Sequence, residues 1–400
     1  MTSTEELIKM ENEYGAHNYH PLPVVISQAE GVWVYDPEGN KYMDMLSCYS
    51  AVNQGHRHPK IIEAAKKQLD RLTLTSRAFC NDMLGPFLKK IVELTGMEVA
   101  LPMNTGAEAV ETAIKIARRW GYMVKGVEKD KAEIIVCENN FHGRTTTIVG
   151  FSSDEGSREG FGPFTPGFKM IPFNDTDALE NAITDNTVAF LVEPIQGEAG
   201  VIIPDDDYLV KVRKICDEHN VLLIADEIQT GFGRTGKMFA HEHSGIKPDM
   251  MTLGKAISGG ILPVSVVVTY KRIMDVITPG SHGSTFGGNP LGAAVSMAAI
   301  DVLTEERLPD RAKELGEYFM DKLKKIDIPF IKEVRGKGLL IAIEIEKGGH
   351  PARYYTEKLK KYGILAKETH DWIIRFAPGL IVTKEELDWA AEQIEKALKE

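Results

Sequence analysis

Lys255 follows a short apolar run, Met250-Met251-Thr252-Leu253-Gly254, and precedes small residues, Ala256-Ile257-Ser258-Gly259-Gly260. Desolvation there favours the neutral amine, a nucleophile toward an aldehyde. Taken alone, a lysine before a glycine turn is usually a solvated surface residue, and the pairing with Asp226 reverses that reading. Asp226 lies 29 residues earlier (255 − 226), at the end of the apolar run Val221–Ala225. An acid just beyond a buried strand faces the place where doubly wound sheets bind ligands, although a helix cap or loop acid fits the same position. Together the two residues match what pyridoxal phosphate (PLP) requires: a lysine for its aldehyde and a carboxylate for its pyridinium nitrogen. At ~4 Å and an effective dielectric near 20, that ion pair has a Coulomb energy of about 4 kcal/mol before desolvation. A fraction of it keeps the nitrogen protonated and the ring able to accept electrons.

A phosphate needs a cradle. Met103-Asn104-Thr105-Gly106-Ala107-Glu108-Ala109 opens a predicted helix with an apolar stripe at Val110, Ala113, Ile114 and Ala117. Gly106 permits close backbone approach, and free N–H groups at a helix start attract anions. Ser284-Thr285-Phe286-Gly287-Gly288-Asn289-Pro290 is a second glycine-rich turn carrying a hydroxyl.

These residues must be held by a framework. Glu133–Cys137, Val188–Val192, Val221–Ala225 and Val264–Val268 are continuous apolar runs, as expected of strands covered on both faces. They alternate with helical stretches such as Asp207–His219, where Leu209, Val212 and Ile215 share a face. The pattern predicts an α/β domain with a mostly parallel sheet. Leu339–Glu346 alternates instead, with Ile341, Ile343 and Ile345 on one side, which predicts an antiparallel sheet with one face exposed. Glu385–Lys399 reads as a closing surface helix. We expect residues 1–40 to pack with a small domain of residues 295–400, and residues 41–294 to form the large domain. Pro290–Leu303 is the expected connecting helix.

Hydrophobic residues make up 43% of the 400, enough for a sizeable core without disulfides or metals. The net charge of −11 argues against nucleic-acid binding as the main activity. The N-terminal residues show no signal or transit pattern, and no apolar run approaches the ~18 residues of a membrane span. The four cysteines, Cys48, Cys80, Cys137 and Cys216, form no C-x-x-C pair. Free thiols in a reducing cytoplasm are the expected reading; Cys48, beside Tyr49, is the one to watch.

The ordered set NTGAEA (Asn104–Ala109), NFHGRT (Asn140–Thr145), VEPIQGEAG (Val192–Gly200), ADEIQTGFGRTG (Ala225–Gly236), LGKAISGG (Leu253–Gly260) and HGSTFGGNP (His282–Pro290) resembles the class III aminotransferases along nearly the whole chain. The likeness is strongest to the ornithine aminotransferase branch, through YGAHNYHPLPV (Tyr14–Val24), SCYSAVNQGHRHPKI (Ser47–Ile61), LTLTSRAF (Leu72–Phe79), RRWGYMVKG (Arg119–Gly126) and IIRFAPGL (Ile373–Leu380). Phe141-His142 stands where some members of that branch carry Phe-Trp.

The resemblance implies a fold-type I PLP transferase: a large domain with a mainly parallel seven-stranded sheet, a smaller α+β domain, and a homodimer with shared active sites. It implies that Lys255 attaches the cofactor and shuttles a proton, that Asp226 pairs with the pyridinium, and that Gln229 contacts the ring hydroxyl. Thr105, Gly106 and Ala107 would surround the phosphate, with Thr285 reaching it from the partner subunit. Phe141 would stack on the ring, with His142 beside it. Tyr19 and Arg144 would hold the α-amino-acid end of ornithine, and Tyr49 would shape the pocket. Glu198 would pair with Arg375 while ornithine is bound, then release it for the α-carboxylate of 2-oxoglutarate. Alternation in Ile373–Phe376 puts Arg375 opposite Ile374 and Phe376, and a guanidinium suits bidentate carboxylate binding. The implied reaction moves the δ-amino group of ornithine to 2-oxoglutarate, giving glutamate 5-semialdehyde, which cyclises to pyrroline-5-carboxylate. Acetylornithine or 4-aminobutyrate is the alternative donor.

Overall fold

In the computed structural model, which describes residues 2–400, the continuous apolar runs become strands sandwiched between helices. An N-terminal sheet comes first in the chain: β1 (Gln28–Glu30), β2 (Trp33–Tyr35) and β3 (Lys41–Asp44). The central sheet follows, with β4 (Val99–Met103), β5 (Glu133–Cys137), β6 (Phe168–Ile171), β7 (Thr187–Val192), β8 (Leu222–Asp226), β9 (Met250–Leu253) and β10 (Ser265–Thr269). The third sheet holds β11 (Ile331–Lys337), β12 (Leu340–Ile345), β14 (Lys367–Thr369) and β15 (Ile373–Phe376), while β13 (Ile364–Leu365) pairs in parallel with β3.

The central sheet has seven strands in the order β4-β10-β9-β8-β7-β5-β6. Its β6, β5, β7, β8 and β9 are mutually parallel. Strand β10 runs antiparallel to both β4 and β9. Alternate side chains serve opposite layers. Ile134, Val136 and Leu191 pack against Val110, Ala113, Ile114 and Ala117 of the helix Gly106–Trp120. Ile135, Phe190 and Leu223 pack against Leu209, Val212 and Ile215 of the helix Tyr208–Glu218. Both faces are therefore dry, which explains why the runs carry no polar alternation.

One expectation is corrected. The Leu339–Glu346 segment does form an antiparallel strand, β12, but neither of its faces is open. Ile341, Ile343 and Ile345 enter the main core. Leu340 and Ala342, on the other face, are covered by Ile195 and Val201 from the segment after β7. Within β12 only Glu344 is partly exposed, and it pairs with Arg335 and Lys332; Glu346, just past the strand, is exposed. The polar half of the pattern was two glutamates at its end, Glu344 and Glu346, and the second lies just past the strand.

The helix Pro290–Glu305 starts from an Asn289 cap and packs on the helix Pro59–Leu69 and on the Lys255–Ser258 turn. Early strands meet the end of the chain: the Trp33 ring packs against Trp389 at 5.2 Å, tilted by 59°, and its Nε1–H donates to Glu386 at 2.7 Å. The closing helix, Lys384–Lys399, buries Leu387, Ala390, Ile394 and Leu398.

Candidate active site

Strand β8 carries its last residue, Asp226, to the carboxyl edge of the sheet, and β9 delivers Gly254-Lys255 beside it. Lys255 begins a tight turn with φ of 48°, in the left-handed region. Its amine faces a cavity of about 190 Å³ that is also lined by Gly106, Ala107, Phe141, Asp226 and Ile228. Burial pushes the Lys255 ammonium toward its neutral form, against the opposing pull of Glu198 and Asp226.

Two glycines close down on one side chain. A Cβ on Gly106 would stand 3.1 Å from Ile228 Cδ1, and one on Gly254 would stand 3.3 Å from Ile228 Cγ2. The helix that starts at Gly106 is capped by its neighbours: Thr105 Oγ1 accepts the Glu108 N–H at 3.2 Å, and Glu108 Oε2 accepts the Thr105 N–H at 2.7 Å. The Thr105 side chain is exposed and does not line the cavity. The first N–H groups of a helix have no intrahelical acceptor, and those of Gly106 and Ala107 lie at the cavity wall.

Asp226 is fixed on both oxygens. Oδ1 accepts from Thr252 Oγ1 at 3.0 Å and from the Ile228 N–H at 3.1 Å. Oδ2 lies 2.6 Å from His142 Nδ1. Burial pulls the His142 pKa down, but the hydrogen bond to and charge of Asp226 outweigh it and raise the pKa overall. His142 thus supports the acid from behind.

Glu193, one residue past β7, is a site group that sequence reasoning left unassigned. Its buried carboxylate accepts from the Phe141 N–H at 3.0 Å and the Gly197 N–H at 3.4 Å, tying together two segments that line the site. Burial pushes it up to about 7. A usable signal existed: Glu193 ends a continuous buried strand, as Asp226 does. Ile228 was also left out, being an ordinary apolar residue without its two glycine neighbours.

A second cluster lies beside the first. Arg375, on β15, is buried and holds Glu198 with Nη1–Oε1 at 2.7 Å and Nη2–Oε2 at 3.3 Å. Gln229 Nε2 donates to the same carboxylate at 2.8 Å. Burial alone would raise the Glu198 pKa, yet the charge of Arg375 and its hydrogen bonds hold it below the usual range. The Arg375 guanidinium lies 5.2 Å from the Tyr49 ring. Tyr49 is presented by four consecutive left-handed residues, Ser47 to Ser50, with φ of 49°, 48°, 57° and 74°. Such a run costs about 1–2 kcal/mol per residue.

Arg144 is mostly exposed at the outer rim, 5.5 Å from the Phe141 ring. Tyr19 is 77% exposed, on the N-terminal segment. Thr285 sits in an exposed turn that does not line this chain's own cavity. One cavity therefore gathers Lys255, Asp226, Gly106, Ala107, Phe141, His142 and Gln229. Arg375, Glu198 and Tyr49 adjoin it, and Thr105, Thr285 and Tyr19 remain outside.

A buried lysine pushed toward its neutral form, an acid held by three donors, a glycine-lined wall and a helix start are together the groups that PLP requires. The comparisons agree. The family model described as "Aminotransferase class-III" matches residues 14–398, and the chain belongs to that family, whose members use PLP. Within it, the chain is 62% identical over 396 residues to the ornithine aminotransferase of Geobacillus sp. (strain WCH70), covering 99% of each. It superposes with a TM-score of 0.98 on the ornithine aminotransferase of Toxoplasma gondii ME49, at 46% identity, covering 100% of this chain and 96% of the other. It also superposes on the acetylornithine aminotransferase of Elizabethkingia anophelis, at a TM-score of 0.91 and 50% identity, with 100% of each chain covered.

Proposed function

We propose that this chain transfers the δ-amino group of L-ornithine to 2-oxoglutarate, yielding glutamate 5-semialdehyde and glutamate. The observation that carries this reading is the bidentate Arg375–Glu198 pair beside the lysine cavity. One site must accept a donor with a cationic amine and then a diacid. Glu198 neutralises Arg375 for the first, and Arg375, once freed, offers a bidentate carboxylate site for the second. The 2.8 Å bond from Gln229, which also lines the cofactor cavity, links the pair to that cavity. Thr369 Oγ1 donates to the Glu198 carbonyl oxygen, so the backbone stays fixed while the carboxylate swings.

PLP, when bound, supplies an aldehyde that takes up the amino group and a ring that accepts the electron pair left by deprotonation. The protein does the rest. Lys255 Nζ holds the cofactor and moves the proton at the carbon bearing the donor amine. Asp226, backed by His142, would keep a positive charge on the ring nitrogen. Gly106 and Ala107 offer N–H groups to the phosphate, and Phe141 covers the ring. Arg144 and Tyr19 receive the substrate's distal end. In the same proposal Thr285 serves the site of a partner subunit in a homodimer, the chain divides near residue 295, and the enzyme works in the cytoplasm. Among the described residues no helix is long and apolar enough to cross a membrane, and all four cysteines are free thiols.

Acetylornithine is the second reading, favoured by the 50% identity to the Elizabethkingia anophelis enzyme. Glu198→Gln tests the masking role. Without the negative charge Arg375 stays unmasked, so the ratio of kcat/KM for glutamate to that for ornithine as donor should rise roughly tenfold. An unchanged ratio in single-turnover measurements would count against a switch.

A further inference from the structure

On the solvent side of Phe141 lies a larger cavity, about 480 Å³, lined by Arg144, Asp154 and Glu198 among others. Asp154 Oδ2 stands 3.9 Å from Arg144 Nη1, with the two side chains 59% and 61% exposed. That spacing is too long for a hydrogen bond. It contrasts with the closed Arg375–Glu198 pair at 2.7 Å. Asp154 itself is anchored: Oδ1 accepts the Gly156 N–H at 3.1 Å, and Ser157 Oγ donates to the Asp154 carbonyl at 2.8 Å. Oδ2 is left facing Arg144.

A fixed anion and a loosely spaced cation at the edge of one cavity complement a zwitterion. We infer that Asp154 is a specificity-determining residue that accepts the substrate's α-ammonium while Arg144 takes its α-carboxylate. This rests on the ornithine reading and deepens it. Ornithine, acetylornithine and 4-aminobutyrate all carry a carboxylate, so Arg144 alone cannot separate them. Acetylation removes the α-nitrogen's charge, and 4-aminobutyrate has no α-nitrogen. Only ornithine gains the interaction with Asp154.

The test compares ornithine with 5-aminopentanoate, which is ornithine without its α-amine, in the holoenzyme. Asp154→Asn keeps the shape and the capping acceptor. It should lower kcat/KM for ornithine roughly three- to tenfold, as befits an ion pair more than half exposed, mainly through KM. The value for 5-aminopentanoate and the 2-oxoglutarate half-reaction should stay within about twofold of wild type. An equal fall for both donors, or no fall for ornithine, would overturn the assignment. So would the same donor-selective loss appearing in Glu155→Gln in place of Asp154→Asn. The wild-type donor ranking is read separately: a preference for acetylornithine would overturn the ornithine reading and this inference with it.

Discussion

Lys255→Ala is expected to lower turnover by about 10⁴-fold or more and to abolish the visible absorbance of covalently held cofactor. No other lysine lines the cavity among the described residues. Burial favours the neutral amine of Lys255, and no other group there can both form the covalent link and carry the proton. The fold should survive, because alanine at a φ of 48° is no more strained than lysine. Borohydride reduction followed by peptide mapping checks the assignment. A normal reducible adduct on a different lysine would refute it.

The second large effect is expected at Asp226. Asn is isosteric and can still accept from Thr252 and the Ile228 N–H, so the change removes charge more than shape. The ring nitrogen then loses a counter-ion worth a few kcal/mol at an effective dielectric near 20. A loss of about 3–4 kcal/mol in the transition state is a 10²- to 10³-fold fall in kcat. The fall should appear in both half-reactions, since both draw electrons into the same ring. His142→Gln should cost much less, because His142 touches Asp226 and not the reacting atoms. Single-turnover rates separate the cases. An Asp226→Asn enzyme within about threefold of wild type in both half-reactions would remove the acid from its role.

Much of the framework was readable because burial writes itself into apolar runs. β5 and β7 fall where Glu133–Cys137 and Val188–Val192 predicted them, and the Asp207–His219 helix differs only at its caps. Strand direction was not readable. β10 is antiparallel within an otherwise largely parallel stretch, yet Val266, Val267 and Val268 are buried as fully as any parallel strand, so the sequence pattern is the same. β12 misled for a related reason: a partly exposed Glu344 and a Glu346 just past the strand resemble the polar half of an alternating strand.

The site divides in the same way. Lys255 and Asp226 were visible because each ends an apolar strand with a reactive group. Glu193 obeys the same rule and was quoted only as part of a motif. The left-handed run Ser47–Ser50 left no glycine signature, since none of its four residues is glycine. Thr105 caps the helix through its hydroxyl oxygen, which accepts the Glu108 N–H and leaves the O–H proton free. Asp154 lies in a loop with no periodicity at all, and only its nearness to Arg144 makes it visible.

The most direct test of the central claim is an amino-donor comparison with the wild-type holoenzyme and 2-oxoglutarate. Values of kcat/KM would be measured for ornithine, acetylornithine and 4-aminobutyrate, with pyrroline-5-carboxylate formation followed for ornithine. Ornithine is expected ahead of both others by at least about 10²-fold, as when a site built to pair charged groups meets an analogue lacking them. Turnover of acetylornithine equal to or better than that of ornithine would contradict it.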